Sequence, residues 1–259
     1  MREALKAILQ EAGTQILEAS RIKDTVSAKE GPANFVTKYD VAVQKFLKEK
    51  LLALRPQAHF MGEEGDLTDD VLHGEAYIVD PIDGTTNFIK GWNASAISVA
   101  LLRDGQVVTS ATYDPYRQEF FYAELGKGAT CNGVPVHVSD EPLSNSLVCF
   151  GSVPYYPDLW EKTFNLGKIM LKEALDIRRS GSAVVDLNMI TRGAAGLFFE
   201  PVLCPWDFAA CSLLITEAGG RVSQMDGSPL TFDHSCSVLA GNPKAYEEYF
   251  AKGLDKVVC

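Results

Sequence analysis

The sequence predicts an α/β protein built as two packed subdomains, with sheets and helices in layers. Three observations predict it. Apolar residues up to Leu54 recur at helical spacing. Residues 59–138 carry short strand-like runs separated by turn signals. After about Pro142 the pattern changes to alternating strands and helices. The change of texture divides the chain into 1–140 and 141–259.

Leu5, Ile8, Leu9, Ala12 and Ile16 form one helical apolar face, and Val43, Leu47, Leu51 and Leu54 form another. Thr37, followed three positions later by Asp40, reads as the start of the second helix. Strands are expected at His59–Met61, Tyr77–Val79, Ile97–Leu102 and Val107–Tyr113. Arg103-Asp104-Gly105 joins the last two as a hairpin. Glu119–Ala123 and Val134–Val138 continue the antiparallel pattern. Leu147–Phe150 reads as a strand, Leu159–Leu171 and Ala183–Ile190 as helices, and Gly196–Glu200 as a strand. A helix over Trp206–Ala218 and a strand over Ser237–Ala240 follow.

Composition excludes several classes. Of 259 residues 46% are hydrophobic and 10% aromatic, so disorder is excluded. The longest apolar stretch, Ala94–Leu102, is interrupted by serines and is too short to span a bilayer. The first residues carry Glu3 and Glu11 within an amphipathic pattern, so they read as a helix rather than an export signal. A cytoplasmic location with reduced thiols is therefore expected for Cys131, Cys149, Cys204, Cys211, Cys236 and Cys259. The four histidines lack paired ligand spacing, which argues against zinc. A net charge of −10 argues against binding nucleic-acid backbone.

The excess acid is concentrated at three element ends. Gly62-Glu63-Glu64-Gly65 follows a short apolar strand. Asp80-Pro81-Ile82-Asp83-Gly84-Thr85-Thr86 follows Tyr77-Ile78-Val79. Pro205-Trp206-Asp207 opens a helix. In the second cluster Pro81 is expected to force a turn that lets Asp80 and Asp83 converge. Gly84 allows close backbone approach, and Thr85 and Thr86 begin a helix whose free N–H groups favour a phosphate. A plain turn followed by a helix cap accounts for this motif alone equally simply. Adding Glu63, Glu64 and Asp207 favours a site for a hard divalent cation and a phosphoryl group, because converging carboxylates need a counter-charge.

These clusters resemble the signatures of the inositol monophosphatase family of magnesium-dependent, lithium-sensitive phosphatases. Val79-Asp80-Pro81-Ile82-Asp83-Gly84-Thr85-Thr86-Asn87-Phe88 matches the first signature. Trp206-Asp207-Phe208-Ala209-Ala210 through Glu217-Ala218-Gly219-Gly220 matches the second, with Cys211 as a departure. The similarity extends from Lys29 and Val36-Thr37-x-x-Asp40 to Leu239-Ala240-Gly241-Asn242.

The resemblance implies a layered α-β-α-β-α sandwich of the inositol monophosphatase/fructose-1,6-bisphosphatase type, with most metal ligands in 1–140 and substrate-side residues in 141–259. It also implies two to three Mg²⁺ ions. Glu63, Asp80 and the carbonyl of Ile82 would hold the first; Asp80, Asp83 and Asp207 the second; and a weaker third would sit near Glu63. An all-oxygen donor set suits magnesium. Thr85 and Asp40 would orient and deprotonate the attacking water, although Asp40 also reads as an ordinary helix-start carboxylate. Lys29 would balance the acidic cluster, and Glu64 would support it from outside.

The amides of Gly84 and Thr85 would receive the phosphate, while Gly181, Ser182, Ala183, Glu200 and Asp207 would meet the substrate, although Glu200 reads equally well as an ordinary strand-end carboxylate. Arg178 and Arg179 would either approach a second anionic group or stay in solvent. The implied activity is hydrolysis of inositol monophosphate by a homodimer that needs neither membrane nor nucleic acid. Histidinol phosphate, fructose 1,6-bisphosphate or another sugar phosphate are alternative substrates, and a regulatory binding protein of the same fold is the alternative class.

Overall fold

The computed structural model describes residues 1–19, 26–28, 35–65 and 70–258. Every helix and strand expected from the sequence is found, with ends displaced by a few residues. The strands are β1 (Val26–Ala28), β2 (Phe35–Thr37), β3 (His59–Gly62), β4 (Glu75–Asp83), β5 (Ala96–Arg103), β6 (Gln106–Asp114), β7 (Glu119–Glu124), β8 (Ala129–Cys131) and β9 (Val134–Val136), then β10 (Leu147–Phe150), β11 (Asp176–Arg178), β12 (Leu197–Leu203), β13 (Arg221–Ser223) and β14 (Cys236–Gly241). The helices are α1 (Arg2–Ala19), α2 (Lys38–Leu54), α3 (Thr85–Lys90), α4 (Pro157–Glu173), α5 (Ala183–Thr191), α6 (Pro205–Glu217), α7 (Pro243–Ala251) and α8 (Asp255–Val258). Among the described residues there are, besides the β1–β2 pair, two sheets, ordered β3-β4-β5-β6-β7-β8-β9 and β11-β10-β12-β14-β13.

Side-chain alternation along the strands produces the layers. Tyr77 and Val79 of β4 face the core under α1 and α2, with Leu9, Leu47 and Leu51. Ala76 and Ile78 face the opposite way, onto Ala210, Leu213 and Leu214 of α6. In the second sheet Phe198 packs toward α5 and α6 with Phe208 and Ile190. Leu197 and Phe199 point outward to Leu166 and Met170 of α4 and Tyr249 of α7. The order is therefore helices, sheet, helices, sheet, helices, with α5 and α6 in the middle. The five described cysteines are free. Among the described residues no helix is long and apolar enough to cross a membrane.

Two local features carry the sequence chemistry into this frame. The β5–β6 hairpin turns on Asp104 (φ 48°) and Gly105 (φ 76°), the paired positive φ values that a two-residue turn matching strand twist requires. The expected turn at Pro81 is corrected: β4 continues through Asp83 instead. Asp80 pairs with Ser98 and Asp83 with Ala96, so three steps on β4 oppose two on β5. This bulge absorbs one residue at Pro81-Ile82, where the missing proline N–H costs no ladder bond. Ser98 and Ala96 share a face, so Asp80 and Asp83 share one too, whereas a regular strand would set them on opposite faces.

Since α6 covers the inner face of the first sheet, truncating Leu214, which is fully buried, should remove about 2–5 kcal/mol of stability. Urea unfolding of Leu214→Ala measures this. A loss below about 1 kcal/mol would mean that the inner layer is loosely packed.

Candidate functional site

Ala76, Ile78 and Asp80 lie on the α6 side of β4, and the bulge brings Asp83 to that side as well. Phe198 and Glu200 lie on the α6 side of β12. A second bulge follows, because Glu200 pairs with Val238 and Leu203 with Cys236, leaving Pro201-Val202 as the extra step. Both sheets therefore direct carboxylates into the middle layer, where α5 and α6 begin. Asp207, at the third position of α6, accepts from the Cys204 N–H at 2.8 Å, so its carboxylate is held at the helix start.

Asp80, Asp83 and Asp207 have carboxylate oxygens within 4.8 Å of one another. They line a cavity of about 460 Å³ together with Glu63, Ile82, Gly84 and Thr85. Burial pushes the Asp80 carboxyl well above the usual carboxylate range, and Glu63, Asp83 and Asp207 push it further. Burial likewise raises Asp207, with Asp83 and Glu63 adding repulsion. Asp83 rises only to about 6. Burial lifts it, but the Ser182 hydroxyl and the Val184 N–H (2.7 Å) hold it down. Ser182 is also the N-cap of α5, accepting from Val185 at 3.2 Å, so the start of that helix is fastened to Asp83. Buried, mutually repelling and all-oxygen, this trio suits a hard divalent cation.

Thr85 opens α3 behind Gly84, whose φ of 84° is left-handed. A Cβ on Gly84 would also lie 3.0 Å from the Ala94 carbonyl, so the position requires glycine on both counts. The Thr85 hydroxyl lies 3.2 Å from Asp40 Oδ1 and 3.2 Å from the Ile82 carbonyl. The Ile82 N–H donates to Asp80 at 2.9 Å. Asp40 and Thr85, 45 residues apart in sequence, thus meet beside the carboxylates, with Asp40 fully buried.

Most of the expected site residues converge here: Glu63, Asp80, Ile82, Asp83, Gly84, Thr85, Gly181, Ser182, Ala183, Glu200 and Asp207 all line the cavity. The two arginines separate. Arg179 lines the cavity, while Arg178 is exposed and pairs with Asp176. The backbone of Glu64 is clasped by the Gln44 side chain. Lys29 lies outside the described residues.

Other residues of the site were not anticipated. Asp186, one turn into α5, lines the cavity and takes the Ser180 N–H at 3.2 Å; burial pushes its carboxyl to about 7. The sequence signal was one acid within the apolar run Ala183-Val184-Val185-Asp186-Leu187. Asn87 ties α3 to the substrate-side loop by donating to the Ala94 carbonyl at 2.7 Å and the Ser180 carbonyl at 2.9 Å. Gly151 leaves room for Glu200, since a Cβ there would lie 1.8 Å from the Glu200 Cδ. Val153, almost fully buried, is held at φ 41°, a region that costs a β-branched residue about 1–3 kcal/mol. Its N–H donates to Glu200.

The sequence matches the inositol monophosphatase family over residues 1–258. The chain belongs to that family. It is 33% identical to the inositol-1-monophosphatase of Rhizobium meliloti over 261 residues, covering 98% of this chain and 94% of the relative. It is 32% identical over 250 residues to Nus factor SuhB of Escherichia coli strain K12, covering 96% and 93%. Among solved structures it superposes on the inositol monophosphate-bound form of the staphylococcal enzyme SaIMPase-II with a TM-score of 0.83 at 26% identity, covering 99% of this chain and 95% of that one. The family relationship agrees with the layered fold and with an acidic cluster suited to metal.

Burial lifts the Glu200 carboxyl to about 8, so the metal-free folded protein keeps this proton where the unfolded chain has lost it. Stability from this group is full below its ordinary value of 4.5 and is lost as pH rises toward 8. The slope is at most about 1.4 kcal/mol per pH unit. Urea unfolding in chelator between pH 5 and 8 should show a shallower decline for Glu200→Gln than for wild type, and identical slopes would contradict the assignment.

Proposed function

We propose that this chain is a Mg²⁺-dependent phosphomonoesterase that hydrolyses inositol monophosphate to inositol and phosphate. The observation that carries the reading is the convergence of Asp80, Asp83 and Asp207 within 4.8 Å, beside the Thr85–Asp40 pair. In this proposal Glu63, Asp80 and the Ile82 carbonyl would hold one ion, Asp80, Asp83 and Asp207 would hold a second, and a third would sit near Glu63. When bound, such ions neutralise phosphate charge and acidify water.

The chain's own groups supply the rest. A water donating to Thr85 Oγ1 passes its proton along the Thr85–Asp40 hydrogen bond to Asp40 as its oxygen bonds to phosphorus; the ester P–O bond breaks, and the departing alcohol oxygen takes a proton from solvent water. The N–H groups of Gly84 and Thr85 receive phosphate oxygens. Glu200, Ser182 and Ala183, with Gly181 giving backbone clearance, face the hydroxyls of the alcohol. Buried carboxyls suit this task because they accept directional hydrogen bonds from a polyol that exposed ones would leave to water.

Substrate identity within the polyol phosphates rests on Glu200 and on the named relatives. Histidinol phosphate and other sugar phosphates are the competing substrates. A regulatory binding role is the second reading, favoured by the similarity to a relative named as a Nus factor. A homodimer is part of the proposal, measured by light scattering.

Asp83→Asn should lower kcat on myo-inositol 1-phosphate by about 10²–10⁴-fold at saturating Mg²⁺, with an unchanged circular dichroism spectrum. Near-wild-type turnover would refute the metal assignment. A panel of phosphate esters compared by kcat/KM should rank myo-inositol 1-phosphate above histidinol phosphate, with Li⁺ inhibiting. Failure to hydrolyse any phosphomonoester would instead favour the regulatory reading.

A further inference from the structure

Helix α2 carries two buried polar side chains one turn apart, Asp40 and Gln44, beside its apolar stripe of Val43, Leu47 and Leu51. Asp40 meets Thr85. Gln44 stands back from the cavity, whose lining does not include it. Its side-chain amide is spent on one backbone residue instead. Gln44 Nε2 donates to the Glu64 carbonyl, and Gln44 Oε1 accepts the Glu64 N–H at 2.8 Å. A buried amide needs both kinds of partner, and Glu64 supplies both. Gly62 makes room for this clasp, since a Cβ there would overlap Gln44 Oε1.

Glu63 stands between two anchors. Its N–H donates to the Val79 carbonyl at 3.3 Å, continuing the parallel pairing in which Gly62 of β3 faces Val79 of β4. The next N–H, that of Glu64, belongs to Gln44. Both peptide planes that flank the Glu63 Cα are therefore tied, one to β4 and the other to α2. Because each plane is rigid, the two ties set the direction of the Glu63 Cα–Cβ bond. Glu63 lines the same cavity as Asp80, Asp83 and Asp207, and its charge is felt at Asp80 and Asp207. A ligand held in place beforehand loses less freedom on binding than one that the ion has to order.

We propose that Gln44 is a positioning residue for Mg²⁺: it holds Glu63 in the pose that receives the ion, although it touches neither the ion nor the substrate. This rests on the assignment of Glu63 to a metal in the proposed function.

Calorimetric titration of Mg²⁺ into the metal-free protein tests it, for wild type, Gln44→Met, Glu63→Gln and the double variant Gln44→Met/Glu63→Gln. Methionine keeps the length of the side chain but offers the Glu64 backbone neither bond. The Mg²⁺ step weakened by Glu63→Gln should also be weakened about tenfold by Gln44→Met, the scale on which supports of metal ligands act. In the Glu63→Gln background the same change should cost less than about twofold, because its route to the ion is gone. Wild-type Mg²⁺ affinity in Gln44→Met overturns the proposal, whatever that variant loses in urea midpoint. An equal loss of affinity with and without Glu63 also overturns it, because a general loosening of the fold would act that way. If Gln44→Met does not fold, Gly62→Ala, which pushes the amide aside from β3, is judged by the same titration with the same expectation. A wild type that binds no Mg²⁺, or binding untouched by Glu63→Gln, would sink the metal assignment and this proposal together. Gln44-dependent Mg²⁺ binding without turnover of any phosphomonoester would sink the phosphatase reading and keep the role of Gln44.

Discussion

Three carboxylates share a space in which three negative charges cannot sit at low cost. Asp80, Asp83 and Asp207 are drawn together by β4 and α6, and burial and mutual repulsion both favour their protonated forms. The surrounding chain is arranged against that repulsion. Ser182 and Val184 donate to Asp83, Ile82 to Asp80 and Cys204 to Asp207. Each donor is a backbone N–H or hydroxyl at a helix start or a bulge, where such groups lack a regular partner. These bonds orient the acids without neutralising them, so the site keeps its demand for an external cation.

The two proline bulges are the backbone counterpart of this constraint. Asp80-Pro81-Ile82-Asp83 and Glu200-Pro201-Val202-Leu203 use the same device on different sheets, each with one unpaired step containing a residue that has no N–H to lose. In the first the bulge adds a second inward carboxylate. In the second it follows the inward Glu200 and returns Leu203 to the core. The positive φ of Val153 belongs to the same set of local costs, incurred where the chain must aim a donor at Glu200.

The acidic clusters were legible in the sequence because three groups of carboxylates stand at element ends with few cations beside them. The layered fold was legible because the periodicity changes from helical to alternating along the chain. The bulge was not: proline after aspartate carries the same local signal whether the chain turns or the strand merely slips by one. The short strands β11 and β13 were missed because three residues cannot display alternation. Helix α7 was missed although Asn242-Pro243 is a good cap and first-turn pair, with Asn242 accepting from Ala245 at 2.9 Å. Asp186 escaped because its meaning depends on Ser180 and the cavity, which only tertiary structure brings to it. Residues tied to the site through another side chain leave little trace in sequence; those that share its charge leave a clear one.

Helix α6 also bears on the order in which the chain matures. Strands β3–β9 are mostly joined by hairpins and can pair soon after they leave the ribosome, because their contacts are local. Among the described residues, their inner face, with Ala76, Ile78, Ala100, Leu102 and Phe121, is covered largely by Ala209, Ala210, Leu213 and Leu214. That cover is synthesised about 70 residues after the last strand, or several seconds later at ordinary elongation rates. Until then the nascent sheet carries an open apolar face, and Asp207, on the same helix, has yet to join the other acids. The nascent chain thus passes through a stage that is both sticky and chemically inert, and a single docking event ends both conditions.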